Sequence, residues 1–192
     1  MNAQFTARAI KAVSLAMAKK DVRYYLNGML LQITNKQCRL VATDGHRLHL
    51  IAIENVDEIP AGQYIIPCEL IDDILKGGKS KLFETVDIII SDMAVSLTRN
   101  GKTISVKLID GRFPEYKNII PEKTTGEYCW CNPEYLADVE KACGYAGVKF
   151  KLPSFNGEGA AMVQSENFLA VVMPMRTKAI NQSPSILDDF FK

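Results

Sequence analysis

The chain has 192 residues, 47% of them hydrophobic, with 23 Lys and Arg against 22 Asp and Glu and a formal net charge of +1. That apolar content fills a core and excludes a disordered chain. The near-neutral charge excludes a polycation that coats nucleic acid indiscriminately, so DNA contact would have to come from locally clustered cations.

The first predicted element is a helix over 6–20, TARAIKAVSLAMAKK, with Ile10, Val13 and Met17 at helical spacing and Thr6 placed to cap it. Strand-like runs follow at 24–33, 37–44 and 46–53, separated by turn residues at Asn35-Lys36 and Asp44-Gly45. The pattern then restarts. A short strand at Gln63–Ile66 leads into a helix from Cys68 to Lys76, stopped by Gly77-Gly78, and strands follow at 83–91, 93–99 and 102–109 around an Asn100-Gly101 turn. A third start has a strand at Tyr128–Trp130 and a helix at Pro133–Cys143, with Asn132 as N-cap and Gly144 or Gly147 as its end. Strands at 148–152, 160–164 and 168–173 complete it. A unit of strand, helix and three strands thus recurs about every 60–65 residues, which calls for a repeat architecture of the α+β class. One unit cannot cover both its helix and its sheet edges, so neighbouring units must pack together.

Cysteines at 38, 68, 129, 131 and 143 form an odd set, expected as reduced thiols in a cytoplasm. Cys129 and Cys131 lack a second Cys/His pair at zinc spacing, and alternation on a strand explains them better than a metal. His46 and His49 fall on opposite faces of a strand and make a poor metal pair. No cofactor is expected. No apolar run approaches the ~18 residues of a membrane helix, and no positive region followed by an apolar block announces secretion. Nucleophile elbow, P-loop, HExxH and paired-carboxylate patterns are absent from the sequence, so an enzyme is not expected.

Four strings carry a resemblance: KDVRYYLNGML (20–30), LVATDGHRL (40–48), LIDGRFPEY (108–116) and VVMPMR (171–176). In these strings, and in their order, the sequence resembles the bacterial DNA polymerase III β subunit, the sliding-clamp family. The resemblance implies a DNA-clamp architecture with helices on the inner face and sheets outside. Residues 1–121 look like the family's complete middle domain, and 122–177 like the second half of its last domain. Residues 178–192 form a tail. The family's ring contains twelve units, so three units per chain imply a homo-oligomer, with a tetramer favoured. The orphan third unit would have to complete its domain with a unit of a second chain.

The resemblance also implies a pocket for short peptides of polymerases, clamp loaders and repair proteins. It would comprise Thr43, Gly45, His46, Arg47 and Leu48, then Pro114 and Ile119, then Asn132 and Tyr135, then Val171, Val172, Met173, Pro174, Met175 and Arg176. Leu, Val, Ile, Pro and Met suit an adaptable apolar cavity, and Arg and His suit a peptide's polar ends. Thr177 stands where the family more often has a terminal Leu. Sequence-independent contact with duplex DNA is assigned to Arg8, Lys11, Lys19, Lys20, Arg23, Tyr24 and Tyr25. Glu69, Asp72 and Asp73 on the second helix oppose it, partly offset by Lys76, Lys79 and Lys81; the third helix is mixed, with Glu134, Asp138, Glu140 and Lys141. In the tail, Leu187, Asp188, Asp189, Phe190 and Phe191 resemble a clamp-binding motif, although Pro184 occupies the slot of its usual Gln. The leading expectation is a DNA-encircling processivity factor that tethers a polymerase. The alternative is a non-encircling decoy or adaptor that binds clamp-interacting proteins or a host clamp.

Overall fold

The computed structural model describes residues 2–54, 60–76, 82–155 and 159–175. The first unit comprises β1 (Asn2–Thr6), α1 (Ala7–Ser14), β2 (Gly28–Ile33), β3 (Gln37–Thr43) and β4 (Arg47–Glu54). The second comprises β5 (Gly62–Pro67), α2 (Cys68–Ile74), β6 (Thr85–Ser91), β7 (Ala94–Arg99) and β8 (Lys102–Lys107). The third has α3 (Pro133–Ala146), β9 (Ala161–Ser165) and β10 (Phe168–Val172).

Each of the first two units lends its leading strand to the other. β1 joins the second unit's sheet, in the order β1-β6-β7-β8, while β5 joins the first unit's sheet, in the order β5-β2-β3-β4-β10-β9. All these pairings are antiparallel. The exchange solves the edge problem that one unit faces alone. The third unit docks differently: β10 adds to the free edge of β4, with Val171 opposite Leu48 and Val172 opposite Arg47.

The six-stranded sheet is buried on both faces. On the helix side, Ile10 and Val13 of α1, Ile71 of α2 and Val139 of α3 pack with Met29, Leu40, Ile51 and Phe168, and with Val86 and Leu97 of the other sheet. On its other face, Leu30, Val41, Leu48, Leu50 and Val171 are covered by Phe113 and Tyr116. These come from the segment joining the second and third units, in which Tyr116–Ile119 form a 3-10 turn. Tyr116 is buried and donates its hydroxyl to Gln32 Oε1 at 2.5 Å, which satisfies a polar side chain inside an apolar face.

Several boundaries differ from expectation. α1 ends at Ser14, because Ala16 and Met17 N–H groups bond to Val13 and Ser14 carbonyls three residues back, tightening the last turn. Residues Tyr24–Leu26 form a 3-10 turn instead of the start of β2. There Asn27 closes a loop on Asp21, accepting from its N–H and donating to its carbonyl, each at 2.8 Å. α2 ends at Ile74, and Gly77-Gly78 lie outside the described residues. α3 extends to Ala146, where Gly147 takes a left-handed φ of 77°. In the third unit the expected strands at 128–130 and 148–152 are not formed: both segments are coil, the first held by Met175 N–H on the Trp130 carbonyl and the second followed by an isolated bridge between Ser154 and Met162. Among the described residues, the first has no strand paired with it, and the second reaches β9 only just beyond its end, at Ser154.

Candidate peptide-binding and nucleic-acid faces

The β3–β4 turn is built by its own side chains. Asp44 Oδ1 accepts the N–H groups of His46 (2.9 Å) and Arg47 (3.0 Å). Thr43 Oγ1 accepts from Gly45 N–H at 3.0 Å and donates to the Arg47 carbonyl at 2.7 Å. Gly45 takes φ of 91°, and a Cβ there would meet the Arg23 guanidinium at 2.9 Å, so glycine is required twice over. Asp44, which the sequence reads as a turn residue, therefore has a structural function.

Arg47 is enclosed. Its side chain is 13% exposed, donates to Asp44 Oδ2 at 3.1 Å and to Asp138 Oδ2, and lies 4.6 Å above the Tyr135 ring. His46 stacks on the same ring at 6.2 Å. Burial works against ionisation of Asp138, but hydrogen bonds from Arg47 and Lys141 outweigh it and hold the carboxyl below its usual range. The arrangement ties the first turns of α3 to the β3–β4 turn. Asn132 serves as N-cap, accepting from Glu134 N–H at 2.9 Å. Asp138 was legible only as a helix charge. Its one signal was its position three residues after Tyr135, on the same helix face.

The fifteen residues of the expected pocket are thus divided. Leu48 and Val171 are fully buried partners on the outer face, with Ile119 and Met173 packed against their cluster. Val172 belongs to the helix side instead. Met173 N–H donates to the His46 carbonyl at 2.8 Å, continuing the β4–β10 ladder, and Met175 N–H donates to the Trp130 carbonyl at 2.6 Å. Among the described members, Gly45, His46, Pro114 and Met175 are exposed, and Ile119, Met173 and Pro174 are half-buried. Arg176 lies outside the described residues, as do the tail residues Leu187–Phe191. Sequence reasoning missed Phe113 and Tyr116, which floor this seam; their spacing of three was the available signal.

The cations assigned to DNA are divided too. Lys11, Lys19, Lys20 and Arg23 line a groove of about 590 Å³ together with His46, Arg47 and the carboxylates Asp21, Asp44 and Asp72. Lys19 pairs with Asp72 at 2.8 Å, and that hydrogen bond raises its pKa. Arg23 pairs with Asp21 at 2.8 Å and donates to the Asp44 carbonyl; its hydrogen bonds bring Asp21 down to about 2. Arg8 does not belong to the groove. It donates to the Tyr145 carbonyl at 2.9 Å and to that of Gly144, and lies over the Phe83 ring. It complements the carbonyl end of α3, where a cation is favoured. Tyr24 is exposed, whereas Tyr25 packs against the outer-face cluster.

Metal chemistry finds no ligand set: no group of three His, Cys, Asp or Glu side chains converges among the described residues. The Cys129 and Cys131 sulfurs stand 3.3 Å apart, and burial pushes the Cys131 thiol up to about 12. Among the described residues, no helix is long and apolar enough to cross a membrane.

A two-sheet clamp-like fold with an apolar seam between units and a basic groove on the helix side defines a class, and comparison identifies it. Residues 1–115 match the family model for the DNA polymerase III beta subunit, central domain. The chain belongs to that family. It is 38% identical over 117 residues to the beta sliding clamp of Pseudomonas aeruginosa, covering 59% of this chain and 31% of that protein. It is 34% identical over 118 residues to the Escherichia coli beta sliding clamp, covering 60% and 31%. The chain therefore spans about a third of the length of the curated relatives it matches. A crystal structure of the Pseudomonas aeruginosa DNA polymerase sliding clamp with ligand superposes with a TM-score of 0.73 at 24% identity, over 92% of this chain and 66% of that one. This likeness in fold extends past residue 115 into the third unit.

Proposed function

We propose that this chain is a shortened sliding clamp, a processivity factor that encircles duplex DNA as a homo-oligomeric ring in the cytoplasm and tethers a polymerase through the seam between its first and third units. The observation that carries the reading is the convergence of three chain segments at that seam. The β3–β4 turn, the end of β10 and the 109–120 segment meet over the cluster of Leu48, Val171, Ile119 and Met173. His46, Pro114 and Met175 remain accessible around it. Such a surface suits short linear peptides with bulky apolar residues, as polymerases and clamp loaders would present. Arg47, saturated by two carboxylates, shapes the rim and leaves the polar contacts to His46. On the helix side, Lys11 and Lys20 are the cations best placed to meet phosphates; a closed ring needs only weak contact. Three units per chain favour a tetramer.

The test pairs two assays. The chain should be retained on circular DNA and lost on linearisation, and Met173→Glu should abolish binding of a polymerase-derived peptide. Retention on neither form, with peptide binding intact, would move the chain to the second reading: an adaptor or decoy that never encircles DNA. The carboxylates Asp21, Asp44 and Asp72 within the basic groove favour that second reading. The LDDFF tail, Leu187–Phe191, would dock in a clamp pocket under either, and a 178–192 deletion that leaves peptide affinity unchanged would exclude self-occupation.

A further inference from the structure

The first two units complete each other by exchanging leading strands, β1 next to β6 and β5 next to β2. In the third unit, the two segments that correspond to that exchange are the ones left as coil. The segment before α3 is the leading strand with no sheet to enter. Residues 148–155 reach the outer edge of β9 through the Ser154–Met162 bridge, and at their end the chain's own Gly126 N–H donates to the Phe155 carbonyl at 3.2 Å and Tyr128 packs its ring on that of Phe155, without forming a ladder.

Their side chains are patterned for pairing. Tyr128 (86%) and Trp130 (68%) are exposed, while Cys129 and Cys131 between and after them are half-buried against the core. Across the gap, Leu152 is 86% exposed and Phe150 39%. Exposed aromatic and aliphatic residues at alternating positions on two segments that form no strand ladder among the described residues leave a ladder unfinished. Charge is compatible: Lys149 and Lys151 alternate with Phe150 and Leu152 in one segment, and Glu127 is the charged residue of the other.

We infer that the occupant of this gap is the third unit of a second copy of the chain, bound by reciprocal exchange: each copy's 127–131 segment enters the other's sheet beside 148–155. This rests on no DNA or peptide activity; it deepens the ring reading by naming the joint. The exchange is isologous, so it closes as a two-fold dimer. It repeats between chains the relation that units one and two already have within one. The register follows from existing pairs. The residue before α1 pairs with the start of β6 (Thr6 with Thr85), and the residue before α2 pairs with the start of β2 (Pro67 with Gly28). Carried to α3, and aligned through the Ser154–Met162 bridge, this sets Trp130 opposite the partner copy's residue 152 or one diagonal step from it. Two joints of this kind and two between second units would close a four-chain ring.

The test is solution mass of the full chain by light scattering, without DNA. A dimer or larger even-numbered assembly is expected. Trp130→Lys and Leu152→Glu should each weaken self-association at least about tenfold, and an equimolar mixture of the two variants should recover a mixed dimer, because one ladder then pairs Lys with Glu and the other is wild type. A monomeric wild type, or two variants that do not complement, overturns the inference. So does loss of the dimer on deleting 176–192, which would make the chain's own tail the occupant. The clamp reading fails separately: a complementing dimer that is not retained on circular DNA refutes the ring and leaves the joint standing.

Discussion

At the scale of single residues, the most consequential side chain is one that the sequence offered only as half of a failed metal pair. His49 is fully buried, bonds through Nδ1 to the carbonyl of Ala12 in the last turn of α1 at 2.9 Å, and packs edge-on against Phe168 of β10. The ring thus touches both units at their seam, with Nε2 left without a partner. Burial is the main cause that brings its pKa to about 4; Arg47 lowers it further, while the Ala12 carbonyl, Asp138 and Asp44 act in the opposite sense. A histidine that charges at 6.5 when unfolded but near 4 when folded contributes full stability above pH 6.5. That stability drains away as pH falls toward 4, by about 3 kcal/mol in all. Melting followed against pH should show this decline, and His49→Gln, though less stable at neutral pH, should show a flatter one between 6.5 and 4. Arg47 makes a second case. Replacing it by Lys keeps one ion pair but loses the planar fork and the stack on Tyr135, so a loss of about 1–2 kcal/mol is expected in chemical denaturation, with Arg47→Ala costing more. Neither role could be read from sequence, because burial and the identity of a partner 91 positions away are properties of the packed chain.

At the scale of elements, what was legible followed local rules. The hairpin turns at Gly45 and Gly101, both with positive φ, were visible because few residues tolerate that conformation. So was the Asn132–Pro133 helix start. What failed were elements whose existence depends on a neighbour. The alternation at 128–131 is a genuine strand pattern, but a strand needs a ladder, and no other described segment provides one. Which of the expected pocket residues share a face was only half legible for a similar reason. Period-two alternation separates Val171 from Val172, and sequence adjacency cannot show which of them faces the covering segment. Close strand approach makes its own demand at Gly28, where a Cβ would sit 2.7 Å from the Ile66 carbonyl oxygen and 2.8 Å from the Ile65 side chain. Gly28→Ala should force β5 away from β2 and cost about 1–3 kcal/mol in thermal or denaturant unfolding. Its neighbour-free counterpart Gly144→Ala, with nothing within 4 Å, should be neutral or slightly stabilising.

At the scale of the whole molecule, charge distribution matters more than the net value of +1. Cations and carboxylates share the helix-side groove, so any hold on duplex should be weak and should fade with salt. If Lys11 and Lys20 meet phosphates, the Lys11→Glu, Lys20→Glu double variant should flatten the dependence of log affinity on log salt by about two contacts' worth. Filter retention on nicked circular DNA across a salt series would measure it. The third unit adheres to the first through the β4–β10 ladder, the Arg47–Asp138 bridge and the hold of Arg8 on the end of α3. None of these contacts requires a continuous backbone between residues 122 and 127, all of which are exposed coil. A protease that cut there would sever the polypeptide without separating it. Two peptides mixed from either side of the cut should find each other and reconstitute the native body, making covalent linkage between the domain and its appendage dispensable.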